Sequence, residues 1–212
     1  MAGTPEIVII PSASLPKQPW AVSLHDTIIK AFKRKDIQAF PPSWTRLDPN
    51  PTLGIEHLAG ELGPHGFIAV ILVDNVPVGC GGFLPFRGND WINKEKSAEV
   101  AQGEMTVSDQ QSKASGSSSA EWEICCFCIR PDHRKQGLSK LLLQAVRDAI
   151  RQEGGNQLAV NYSMEETGEF WPRLGFEPVP GATSILKKGF THTIGMEGLR
   201  EDIHFQIAKR AI

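Results

Sequence analysis

Arg134-Lys135-Gln136-Gly137-Leu138-Ser139 is the stretch of this chain whose residue types and spacing point most directly to chemistry. A basic loop that ends in glycine and opens a helix presents a row of backbone N–H groups, and the helix dipole turns its positive end the same way. With Arg134 and Lys135 these donors make an anion cradle suited to a pyrophosphate. Gly137 lets a ligand approach the backbone and accepts dihedrals that other residues avoid. A glycine ahead of a helix is also ordinary turn chemistry, and no Gly-Lys-Ser/Thr follows, so the loop is not a Walker A. The four cysteines, Cys80, Cys125, Cys126 and Cys128, lack the paired spacing that converges sulfurs on zinc. Three of them share one apolar segment, and they read as core thiols of a reducing compartment, with no disulfide framework and no metal.

The elements that must position the loop surround it. Glu121–Ile129 reads as a strand leading into it, and a helix leads out. Leu138, Leu141, Leu142, Ala145, Val146, Ala149 and Ile150 recur at helical spacing, Lys140, Asp148 and Arg151 face away, and Gly154-Gly155 stops the run. Gln157–Tyr162 is the next strand, so strand, helix and strand form a parallel β-α-β unit. Upstream, Glu6–Ile10 is a short strand. A helix from Trp20 carries Val22, Ile28, Ile29 and Phe32 on its apolar face, with the basic group Lys30–Lys35 as a solvated side. A short helix follows around Ile55–Leu62. Gly66–Val73 and Val76–Pro85, separated by Asp74-Asn75, form a hairpin. Downstream come a short helix over Glu165–Leu174, an extended segment opened by Gly175-Phe176, and a last strand at His204–Ala208. The reading is α/β, a mostly antiparallel sheet around a central parallel β-α-β unit.

Gly88–Ala120 breaks the pattern. Its Ser-, Gly- and Gln-rich half cannot bury enough surface to offset its ordering entropy, while Trp91-Ile92 would anchor its start on the sheet. The expectation is one domain over residues 1–212 with an insertion at about 88–120. The chain has 212 residues, 41% hydrophobic and 22% charged, with a formal net charge of −2. That balance argues against direct nucleic-acid binding through overall basicity. No apolar run approaches a membrane span and no leader is evident, so no membrane association and a cytoplasmic location are expected, with the nucleus left open.

With the loop and its elements assembled, the sequence resembles the GCN5-related N-acetyltransferase (GNAT) superfamily. The strand ends Phe127-Cys128-Ile129-Arg130-Pro131 and the loop runs Arg134-Lys135-Gln136-Gly137-Leu138-Ser139, similar to that family's Arg/Gln-x-x-Gly-x-Gly/Ala with Ser139 at the last small position. Phe170-Trp171-Pro172-Arg173-Leu174-Gly175-Phe176 is similar to its aromatic-Tyr-x-x-Leu-Gly-Phe block, with Trp171 in place of the tyrosine. The resemblance implies an acetyl-CoA-dependent N-acetyltransferase that needs no metal. The strands Glu123–Ile129 and Gln157–Tyr162 would splay, and pantetheine amides would bond to the backbone of Phe127 and Ile129, with Cys128 between them. The diphosphate would rest on Arg134, Lys135, Gln136, Gly137, Leu138, Ser139 and Lys140. Trp171 would pack along pantetheine or close the core.

The same resemblance nominates the base. An amine acceptor is mostly protonated at neutral pH and must lose a proton before it attacks a thioester. Glu123 lies where the histone-type branch of the family carries its catalytic glutamate, with Glu121 in reserve; the plainer role for Glu123 is a strand end paired to a lysine. Strand alternation places Glu123, Cys125, Phe127 and Ile129 on one face. Trp171 cannot protonate a departing thiolate, but a thiolate is a fair leaving group. Tyr162, at the end of its strand, reads as a core or rim residue ahead of an acid, and His192 and His204 are distant candidates for the acceptor groove. The acceptor is a small-molecule amine or a peptide or protein lysine. The rival reading is a degenerate module that holds CoA or a protein partner without turnover, or transfer of a different acyl group. The Asn161-Tyr162-Ser163 sequon is idle in an intracellular strand end.

Overall fold

A computed structural model describes residues 3–33, 36–88, 120–190 and 197–212. The expected insertion lies almost entirely outside the described residues, as do Arg34, Lys35 and His192. Seven strands form one sheet in the order β1-β2-β3-β4-β5-β7-β6: β1 (Glu6–Pro11), β2 (Phe67–Val73), β3 (Val76–Pro85), β4 (Glu121–Ile129), β5 (Gln157–Ser163), β6 (Glu177–Leu186) and β7 (Ile203–Ala211). Every pairing is antiparallel except β4 with β5, which flank the helix α3 (Leu138–Gln152) as the expected parallel unit. The β2–β3 hairpin turns on Asp74 and Asn75, both with positive φ, the twist that a two-residue hairpin requires.

Helices cover both faces. On one, α1 (Ala21–Ala31) and α2 (Pro51–Leu62) pack with Leu15, Ile68, Val70, Cys80, Cys126 and Cys128. On the other, α3 sets Leu138, Leu142, Leu143, Val146 and Ile150 against Trp122, Ile124, Leu158 and Val160. Helix α2 starts at Pro51, earlier than its apolar periodicity suggests. The Asn50 side chain accepts hydrogen bonds from the Thr52 and Leu53 N–H groups, and Pro51 occupies the first-turn position that tolerates it. Two expected core residues lie outside. Val22 is 61% exposed because α1 buries the Ala21, Leu24, Ile28 stripe, and Leu141 is 44% exposed because α3 is rotated toward Leu143. The helix expected over Glu165–Leu174 is two short ones, α4 (Met164–Thr167) and α5 (Phe170–Arg173), broken at Gly168 with φ 47°. No helix among the described residues is long and apolar enough to cross a membrane.

Candidate active site

Strand β4 carries the site, and its two halves differ. Glu121–Ile124 pair in parallel with Gln157–Val160, and the β4–β5 pairing stops there. Among the described residues, β4 from Cys125 onward keeps only its β3 neighbour, while β5 continues on β7 through Ser163. The strands thus splay as expected. The Arg130 N–H bonds to the Val78 carbonyl of β3, so strand alternation turns the Ile129 backbone groups toward the gap.

The alternation expected along β4 does not survive. Cys126 has φ 48°, and the β3 register slips between Cys80 and Gly82, so one extra residue is inserted opposite β3. Before this bulge, Trp122 and Ile124 belong to the α3 face. After it, Phe127 and Ile129 do, while Cys125, Cys126 and Cys128 lie on the α1/α2 face. Glu123 therefore shares its face with Cys125 and not with Phe127 and Ile129. The sequence signal was in β3: a Cβ at Gly81 would lie 2.8 Å from the Phe127 ring, and one at Gly82 would meet Leu62 and Cys125.

Glu123 is 3% exposed and is held by Arg87, a residue that the sequence reading did not single out. Arg87 lies just past β3, whose end pairs with the start of β4. Its Nη2 donates to Oε1 at 2.5 Å and its Nε to Oε2 at 3.1 Å. This fork fixes the carboxylate plane and leaves lone pairs for a further donor. Burial works against the charge on Arg87, but the Glu123 contact, with smaller contributions from Cys125 and Glu61, outweighs it and raises the guanidinium pKa. Nearby, Arg46 Nη2 donates to both oxygens of Glu61, and this pair acts electrostatically on Cys125. Burial pushes the Cys125 thiol up, so it is no thiolate nucleophile at neutral pH. Cys80 is also pushed up, by its contacts with Cys126 and Cys128 and then by burial, in keeping with core thiols. On β5, the side-chain oxygen of Asn161 is buried without a hydrogen-bond partner among the described residues, directly after the last β4–β5 pair.

At the far end of β4 lies the basic loop. Gly137 is the N-cap of α3 at φ 79°, Lys135 is also left-handed at φ 64°, and no side chain caps the helix. Among the described residues, a Cβ at Gly137 would meet nothing within 4 Å, so the helix start is uncovered by them. Lys135, Gln136 and Lys140 are exposed, Ser139 is half-buried, and Leu138 and Cys128 are buried. Arg134 is committed elsewhere: its Nε donates to the Ile129 carbonyl at 3.1 Å and its Nη2 to Ala31 at 2.9 Å, tying the loop to the ends of β4 and α1.

Other expected residues fall outside this line. Trp171 is 5% exposed, its ring centroid 5.4 Å from Phe127 and 5.1 Å from Phe176, so it closes the core. Tyr162 is buried in the same cluster, and burial, then Glu169, raises its hydroxyl pKa, a poor setting for an acid. Glu121 is bound by Lys209 at 2.7 Å. His204 pairs with Glu165 at 2.6 Å.

The profile of the acetyltransferase (GNAT) family matches residues 29–176. No curated protein matches the chain. Among solved structures it is similar to the PaiA N-acetyltransferase of Thermoplasma acidophilum in complex with coenzyme A, at 12% identity and TM-score 0.56, covering 99% of each chain. It is also similar to the ribosomal-protein-S18-alanine N-acetyltransferase of Escherichia coli, at 13% identity and TM-score 0.55, covering 99% of this chain and 94% of that one. An N-acetyltransferase of Staphylococcus aureus Mu50 matches at 11% identity and TM-score 0.54, covering 99% of both. At these identities the structures speak for the fold, and the profile, spanning well over half the chain, speaks for the family. The chain belongs to the acetyltransferase (GNAT) family.

Proposed function

We propose that this protein transfers an acetyl group from acetyl-CoA to a primary amine, with Glu123 as the proton acceptor. The observation that carries the reading is a buried carboxylate, oriented by Arg87, at the point where β4 and β5 begin to part. The residues present fit the donor. Among the described residues, nothing fills the space at the helix start at Gly137, no strand lies on the β4 edge beyond Ile124, and the buried Asn161 oxygen has no donor. Lys135, Gln136, Gly137, Leu138, Ser139 and Lys140 would hold the diphosphate, largely through backbone N–H groups. Phe127 and Ile129, with Cys128 between them, would receive the pantetheine amides along the strand edge. Arg134 supports the loop from beneath, and Trp171 supports the wall that Phe127 lines. When bound, acetyl-CoA supplies the acyl group as an activated thioester.

Glu123 holds the amine by accepting a hydrogen bond on the lone pairs that Arg87 leaves free, and it removes a proton directly or through water. Its place on the α1/α2 face brings the amine from that side, while the donor enters along the gap. Departure of the thiolate is assigned to no side chain. The acceptor is a small amine or a lysine- or peptide-borne amine, a class consistent with the similar enzyme named for ribosomal-protein alanine.

The rival, a module that binds CoA without turnover, draws on the same fork, which already occupies two sites on the carboxylate. A screen of acetyl-CoA turnover over polyamines, aromatic amines, aminoglycosides, amino acids and lysine peptides separates the two. Amine-dependent thiol release supports the enzyme. Calorimetric CoA binding with no release across the panel supports the module.

A further inference from the structure

A second cationic site lies on the flank of α3, away from Glu123. A cleft of about 380 Å³ is bordered by Lys140 and Arg147 of α3, Arg173 of α5 and Arg210 of β7. No carboxylate lines it, and none of these four cations forms an ion pair among the described residues. The nearest acid on the helix, Asp148, is turned to Arg151 and Gln144. Arg210 is held in place, donating to the Leu174 carbonyl and lying against Gly175, whereas among the described residues Arg147 reaches only the side-chain oxygen of Gln144, at 3.5 Å. The Nε of Arg147 is buried with no hydrogen-bond partner among the described residues. Burial, followed by repulsion from Arg210 and Arg151, lowers the pKa of Arg147, and the weaker opposing attraction of Asp148 does not offset them.

Crowded cations with a buried unused donor are costly unless something compensates them. A compact, doubly charged group rich in acceptors would compensate them best, because three guanidinium groups and an ammonium border one small cleft. A phosphate monoester meets those terms, carrying about −1.5 to −2 charge and three strong acceptor oxygens. The volume suits a small molecule and not a macromolecular surface. We propose that this cleft is a phosphomonoester site. Lys140, in the first turn of α3, connects it to the Gly137 loop. Two sources share the chemistry: the 3′-phosphate of a CoA held on that loop, which rests on the function proposed above, or a separate phosphorylated metabolite.

The test uses the whole protein with Arg173→Gln, an exposed position, and Arg147→Gln. Inorganic phosphate is titrated while amide shifts from Lys140 to Arg147 and at Leu174-Gly175 are followed. CoA and 3′-dephospho-CoA are compared by calorimetry. Saturable phosphate shifts that Arg173→Gln weakens about tenfold or more support the site, since a charge-assisted bond is worth at least that. If CoA also binds at least about tenfold tighter than its dephospho form, and the variants erase the difference, the 3′-phosphate is the source. If the two forms bind alike and phosphate still saturates the cleft beside bound CoA, a separate ligand is. Phosphate binding without any CoA binding would sink the proposed function and keep the cleft. No saturable phosphate shifts, with CoA and dephospho-CoA equal, would overturn the proposal.

Discussion

The two ends of β4 are built in opposite ways. The loop end is local: Arg134 to Lys140 are consecutive, and the anion-binding role proposed for them rests on backbone N–H groups set by two left-handed residues. The Glu123 end is assembled from a distance. Arg87 arrives from beyond β3, Asn161 from β5, and the Arg46–Glu61 pair from the α1/α2 side, while the bulge at Cys126 separates this end from the rest of the strand. A cradle made of backbone is resistant to side-chain change and sensitive to anything that fills its space. A carboxylate held by side chains is sensitive to each partner. Changes at the two ends should therefore fail differently, one in binding and the other in turnover.

The largest effect is expected at the carboxylate. Glu123→Gln keeps shape and hydrogen bonding but cannot accept a proton, so kcat should fall by about 10²-fold or more. Activity should recover partly at high pH as free amine accumulates. Steady-state rates at pH 7 that match the parent protein would move the role away from Glu123.

Arg87→Gln should come next. It leaves a buried carboxylate without its charged partner, and kcat/KM should drop about tenfold as orientation is lost. The urea midpoint should also fall, by the equivalent of about 1–3 kcal/mol. Arg87→Lys should recover part of the stability and less of the rate, because an ammonium lacks the fork. Equal recovery of both would show that charge alone matters.

The smallest effect is expected at a pair outside the site. Burial tends to raise the Glu165 pKa, but hydrogen bonds from the His204 side chain and N–H outweigh it and hold the carboxyl below its usual range. A depressed folded pKa gives stability that is complete above the ordinary carboxylate value of about 4.3 and is lost as pH falls through the lowered value. Glu165→Gln should thus cost about 0.2–1 kcal/mol at pH 7, as for other half-exposed pairs, and the difference should vanish in acid. Thermal unfolding from pH 7 to pH 3 reads it, and kcat should not change.

The same contrast explains what was legible in the sequence. The α3 helix, the Asp74-Asn75 hairpin and the Gly137 loop rest on local periodicity and turn chemistry, and each lies where its residues indicate. The β4 face assignment failed because strand alternation assumes an unbroken ladder, and the bulge at Cys126 is set by cross-strand fit to the β3 glycines. Arg87 was missed because its link to Glu123 exists only once β3 and β4 are paired in register. Arg134 fits the basic loop pattern, yet its guanidinium serves two backbone carbonyls, and composition does not show which way a side chain is spent.

The division of labour between the two ends is tested most directly by calorimetric titration of acetyl-CoA into Gly137→Asp and Glu123→Gln beside the parent protein. An Asp at Gly137 puts a side chain on a left-handed residue and a negative charge where the diphosphate should lie, and like charges so placed cost several kcal/mol. Gly137→Asp should lose about 100-fold or more in affinity with its fold retained by circular dichroism, while Glu123→Gln should stay within about twofold. Unchanged binding in Gly137→Asp would remove the loop from the cofactor site, and an equal loss in both variants would contradict the separation.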